Sequence, residues 1–104
     1  MLSNLEMLSN LRGISGNEEK VRNAILELIK DNATTVTVDN LGDLIVFKKG
    51  KKTPSKKVLF SAHIDEVGFI VTQICEDGCL MFEPVGGVQT GVTLGKKVLI
   101  GEDK

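Results

Sequence analysis

Apolar residues recur every third position at the start of the chain, at Leu2, Leu5, Leu8 and Leu11, a spacing that lines one face of a helix. Ser3 and Glu6 have the spacing of a capping box, and Gly13 supplies a stop. A second helix is marked more strongly. Ser15 and Glu18 repeat the capping-box spacing, and Val21, Ile25, Leu28 and Ile29 form one apolar stripe that should end between Lys30 and Asn32. The period then drops to two. Thr34 to Val38 is β-branched and alternating, residues 39–42 read as a turn, and Asp43 to Phe47 predicts a second strand. Lys57 to Ala62 is a short apolar run between polar residues, the pattern of a strand covered on both faces. Val67 to Ile74 predicts another strand, Glu76-Asp77-Gly78 a tight turn, and Cys79 to Phe82 the returning hairpin arm. Gly86, Gly87 and Gly91 interrupt the chain before a last short strand, Lys97 to Ile100. The order is two helices followed by about six strands, the later ones forming a small β-unit of their own.

Composition narrows the classes. A length of 104 residues allows one small domain or a piece of a larger one. With 41% hydrophobic residues the chain is too apolar for a disordered segment. Thirteen Lys and Arg against 14 Asp and Glu leave a net charge of −1, which exerts no global pull toward nucleic acid or acidic membranes. No apolar run approaches the ~18 residues of a membrane span. The first cation is Arg12, so the basic start of a secretory signal is missing, and two cysteines are too few for a disulfide scaffold. A cytoplasmic location is the expectation. Trp and Tyr are absent and Phe occurs four times, fewer aromatic anchors than a complete domain usually holds, which fits a fragment. Lys48, Lys49, Lys51, Lys52, Lys56 and Lys57, broken by Gly50 and Pro54, read as a solvated loop; a phosphate or nucleic-acid patch would carry aromatic or Arg residues among the lysines.

The stretch richest in chemistry is Ser61-Ala62-His63-Ile64-Asp65-Glu66. In extended backbone His63 and Asp65 point the same way, at the C-terminal end of the Val58–Ala62 strand, while Glu66 points elsewhere. A metal-ligating imidazole wants a carboxylate on its second ring nitrogen, and His-x-Asp supplies that pair from one short piece of backbone. A histidine beside a carboxylate by chance is the competing reading. Other sites fail on spacing. Cys75 and Cys79 are separated by three residues rather than two, and read as reduced thiols flanking a hairpin with no metal. Gly95-Lys96 lacks the first glycine of a phosphate loop, because position 90 is Thr. Asp65 and Glu66 alternate faces, so they do not form a glycosidase pair, and Ser61 has no second histidine to activate it.

Several of these pieces together resemble a known family. Ser15-Gly16-x-Glu18, Asp39-x-x-Gly42, the run from Val58 into Ala62-His-Ile-Asp-Glu-Val-Gly-Phe69, the Asp77-Gly78 hairpin and Val85-Gly86-Gly87 follow the order and spacing of the M42 metallo-aminopeptidases, of the glutamyl and deblocking aminopeptidase type. Asp43 stands where that family usually has Asn, a departure in a turn away from the chemistry. The resemblance implies an α/β fold. Residues 1–68, with the two helices and a mixed sheet, would be the N-terminal part of a zinc-peptidase-like catalytic domain, and residues 69–104 the opening strands of a β-rich oligomerisation domain inserted into it. It implies removal of N-terminal residues from peptides with two divalent metal ions, zinc or cobalt, His63 binding metal and Asp65 supporting it catalytically. The family's other ligands and general base lie further along than Lys104, so this chain alone is expected to be inactive, to hold no metal tightly and to self-associate through exposed edges. The implied partners are peptide substrates and further copies of the chain, with no nucleic acid and no membrane. The alternative is a non-catalytic β-rich oligomerisation or interaction module; a nucleic-acid binder through Lys48–Lys57 ranks third.

Overall fold

The computed structural model describes residues 2–53 and 55–101. Its chain divides after Glu66 into two compact units.

The first unit carries both helices. Helix α1 spans Leu2–Ser9 and ends with the Asn10 side-chain amide donating to the Glu6 carbonyl at 2.8 Å, so it stops before Gly13. Ser3 lies inside α1 and is not its cap. Helix α2 spans Glu19–Ile29 and runs into a single 3-10 turn at Lys30–Asn32, where the apolar stripe gives out. The predicted Ser15/Glu18 capping box does not form. Glu18 instead accepts the Gly16 amide at 2.6 Å, and the Ser15 hydroxyl is engaged elsewhere. Strands β1 (Thr35–Val38) and β2 (Leu44–Phe47) pair antiparallel, from Thr35 opposite Phe47 to Val38 opposite Leu44. Asp39 builds their turn: its Oδ1 accepts the amides of Leu41 and Asp43, each at 2.9 Å, and Gly42 adopts φ +91°, a left-handed conformation that suits glycine.

The second unit is one hairpin. Strand β3 (Gly68–Ile74) pairs antiparallel with β4 (Leu80–Val85), with an irregularity between Val71 and Gln73. Phe69 and Phe82 meet edge to face, ring centroids 4.8 Å apart. The turn closes as Asp77 Oδ1 accepts the Cys79 amide at 2.9 Å, next to Gly78 at φ +84°.

Two predicted strands are not formed. Lys57–Ala62 has no strand partner among the described residues, and Leu59 and Phe60 stand 90% and 91% exposed. Lys97–Ile100 is likewise irregular and exposed. The reason is the same for both: an apolar run becomes a doubly covered strand only when neighbouring strands supply hydrogen bonds and both faces are roofed. The mixed sheet expected is therefore two separate antiparallel pairs, and the architecture is mixed α/β with two helices and small sheets. Burial is correspondingly thin, with Val21 the one buried hydrophobic residue among the described residues, at 6% exposure. The lysines of the 48–57 segment are exposed, as a solvated loop requires; Pro54 within it lies outside the described residues.

The β3–β4 turn has a definite acid response. Accepting the Cys79 amide favours the ionised form of Asp77 and holds its carboxyl below the ordinary range. A depressed carboxyl contributes to the fold above its ordinary pKa, and that contribution fades as pH falls through the lower, folded-state value. The Cys79 amide proton shift, followed by NMR on acidification, should titrate with a midpoint below that of an ordinary aspartate. Asp77→Asn keeps an acceptor oxygen and should flatten the curve; a midpoint at or above the ordinary value would contradict the assignment.

Candidate functional site

Within the first unit, residues 13–15 run beside residues 65–66. The Glu66 amide donates to the Gly13 carbonyl at 2.8 Å, and the Gly13 amide donates back to Glu66 Oε1 at 3.1 Å. Ile14 and Glu66 make an isolated parallel bridge. The third link is the Ser15 hydroxyl, which donates to Asp65 Oδ2. Gly13 is buried at this crossing, where a Cβ would lie 2.5 Å from Val21 Cγ2 and 3.5 Å from the Ile64 carbonyl.

This crossing orients the predicted pair. His63 Nδ1 lies 3.0 Å from Asp65 Oδ1 and 3.0 Å from the Asp65 carbonyl oxygen. A main-chain carbonyl has no proton to give, so Nδ1 must carry the hydrogen and donate it. In the neutral ring Nε2 is then the bare nitrogen. The His63 side chain is 86% exposed and that of Asp65 38%, so the ring projects into solvent from a half-sheltered carboxylate. The Ser15 hydrogen bond is the main influence holding the Asp65 carboxyl below its usual range, burial opposes it, and His63 lowers it further.

His63 and Asp65 are therefore brought together as expected, although no strand delivers them. Glu66 points elsewhere, as alternation requires, and its carboxylate is spent on the Gly13 amide. Beside the pair lies an open hollow of about 430 Å³ whose apolar wall includes Leu5, Leu8, Leu11, Val21 and Ile25. The predicted helix stripes thus line the flank of the site. Cys75 and Cys79 are free thiols joined through backbone, the Cys75 amide donating to the Cys79 carbonyl at 2.8 Å. Among the described residues no group of three or more His, Cys, Asp or Glu gathers as a complete metal cage, and no helix is long and apolar enough to cross a membrane. Sequence reasoning missed Ser15 and Gly13 as parts of this site. Ser15 stands out as part of a family motif and a capping pattern and Gly13 as a helix stop, but no local signal joins them to the Asp65–Glu66 stretch, since Ser15 and Asp65 are separated by 50 positions.

Residues 42–104, which include His63 and Asp65, match the family pattern of the M42 glutamyl aminopeptidases. The chain belongs to this family. A lysyl aminopeptidase of Pyrococcus furiosus is 34% identical over 88% of this chain and 26% of its own length. Among solved structures, a TET aminopeptidase from a marine-sediment Thaumarchaeota archaeon superposes with a TM-score of 0.82 at 36% identity, covering 90% of this chain and 26% of that one. A Thermotoga maritima protein named an endoglucanase gives a TM-score of 0.74 at 49% identity, covering 81% of this chain and 27% of that one. The chain spans no more than 29% of the length of the first curated relatives it matches.

The packing at Gly13 makes a prediction. Gly13→Ala drives a methyl into the stiff, β-branched Val21 and should cost about 1–3 kcal/mol, the range for overpacking a filled site. Urea unfolding measures it. In a Val21→Ala background most of that penalty should vanish, because the obstructing methyl is gone; an equal penalty in both backgrounds would place the strain elsewhere.

Proposed function

We propose that this chain is the N-terminal part of a metal-dependent aminopeptidase, in which His63 binds a divalent metal through Nε2 and Asp65 fixes the ring. The observation that carries this reading is the commitment of Nδ1 to two acceptors of Asp65, which leaves Nε2 bare and facing solvent. That is the donor chemistry of a carboxylate-supported metal ligand, and these residues fit one position of a metal centre. The group would be a pair of zinc or cobalt ions, and when bound it would supply Lewis-acid polarisation of the scissile peptide carbonyl. His63 presents the lone pair, Asp65 holds the ring by accepting the Nδ1–H hydrogen bond, and Ser15 and Gly13 keep Asp65 and Glu66 in place. The remaining ligands and the group that moves the proton during hydrolysis are assigned to the rest of the parent protein. Residues 69–104 are read as the opening of its β-rich insertion, through which copies of the chain would associate; the exposed Ile70, Ile74, Met81 and Phe82 of the hairpin support this. Cytoplasmic location is part of the same reading.

Glycoside cleavage, suggested by the name of the Thermotoga protein, finds no support in the carboxylates. Asp65 faces His63 and Ser15 while Glu66 faces the Gly13 amide, so the two do not flank a common bond. The remaining alternative is a β-rich interaction module with no catalysis.

Metal titration and activity separate these readings. In the full-length parent, Asp65→Ala should weaken divalent-metal affinity about 10- to 100-fold, the usual cost of losing a ligand's carboxylate partner, and His63→Ala should abolish turnover of aminoacyl chromogenic substrates. The 104-residue chain with added zinc or cobalt should show no turnover and no stoichiometric micromolar site in calorimetry. Full activity of His63→Ala in the parent would overturn the ligand assignment, and turnover by the chain alone would overturn its dependence on further ligands.

A further inference from the structure

The Asp65 carboxylate has two oxygens and two partners from opposite directions: Oδ1 faces His63 Nδ1 and Oδ2 receives the Ser15 hydroxyl. The torsion that turns a carboxylate about its last bond is broad and roughly two-fold, so a half-exposed aspartate has no intrinsic reason to keep one oxygen on the ring. Something must hold the plane. Ser15 itself is placed by the parallel crossing, through the Gly13–Glu66 hydrogen bonds on one side and the Ile14–Glu66 bridge between them. From these contacts we infer that Ser15 is a positioning residue: by anchoring Asp65 Oδ2 it keeps Oδ1 on His63 Nδ1 and so selects the ring tautomer that leaves Nε2 bare.

The inference rests on the proposed role of His63, but it can be tested without any metal. The Asp65 carbonyl also accepts from Nδ1 at 3.0 Å, so a rival exists within the same structure: the main chain alone could hold the tautomer. The two alternatives differ in strength, because a hydrogen bond to a carboxylate is charge-assisted and one to a carbonyl is not. Ser15 is thus consequential only if the carboxylate link decides the proton's position.

The test is a long-range ¹H–¹⁵N correlation spectrum of the imidazole in the metal-free chain, at a pH where the ring is neutral. The wild-type ring should show a protonated Nδ1 and an unprotonated Nε2. Ser15→Ala should shift the ring toward the Nε2–H form, while Ser15→Thr, which keeps a hydroxyl, should restore the wild-type pattern. The Gly13 and Glu66 amide shifts report whether the crossing survives each substitution. Should Ser15→Ala disrupt the crossing, Asp65→Ala supplies the second arm, since adding Ser15→Ala to it should then leave the ring signals unchanged. A wild-type tautomer retained in Ser15→Ala would overturn the inference, as would a further shift when Ser15→Ala is added to Asp65→Ala. Failure of the parent's metal titration alongside a Ser15-dependent tautomer would instead strike the proposed function and leave the positioning role standing.

Discussion

The arrangement around His63 depends on a contact between two pieces of chain that are distant in sequence: the parallel crossing of residues 13–15 with residues 65–66. Closing so long a loop costs conformational entropy, and that cost must be met by few interactions. One backbone–backbone hydrogen bond, the Gly13 amide's bond to the Glu66 carboxylate, one serine–aspartate bond and the burial of Val21 against Gly13 carry it. Gly13 matters because it is small. A side chain there would hold α2 and the Ile64 carbonyl apart, and with them the segment that presents His63.

How much of this was readable in the sequence follows from the range of the interactions. Helix α2 and both hairpins were legible, since their signals are local: an apolar stripe, β-branched alternation, and Asp-Gly or Asp-x-x-Gly turns whose aspartates cap nearby amides. The pairing of His63 with Asp65 was legible for the same reason, being a property of two positions on one short stretch. Lys57–Ala62 was misread because its apolarity says what it could bury and not whether anything is there to cover it. Ser15 was misread because a hydroxyl can cap a helix or bind a distant carboxylate with equal chemical ease, and only the three-dimensional crossing decides between them.

The M42 family match covers the stretch in which this local geometry is built. The matched residues include both His63 and Asp65, whose Nδ1 and Oδ1 lie 3.0 Å apart. The structure adds an allocation of the acids. Asp65 and Glu66 are adjacent, equally charged and nearly equal in size, yet one is committed to the imidazole and the other to a backbone amide. Electrostatics alone would not separate them; side-chain alternation does.

That allocation makes this stretch intolerant in length as well as in identity. One residue lost between His63 and Asp65 would exchange the two acids' directions, sending the longer carboxylate toward the ring and turning the shorter one away from it. The lysine-rich segment at 48–57, by contrast, lies in the same loop and is exposed throughout its described residues. Doubling the length of a flexible loop costs only about 0.6 kcal/mol of extra closure entropy. Evolution of this chain is therefore free to count loosely among its lysines and must count to the residue around its histidine.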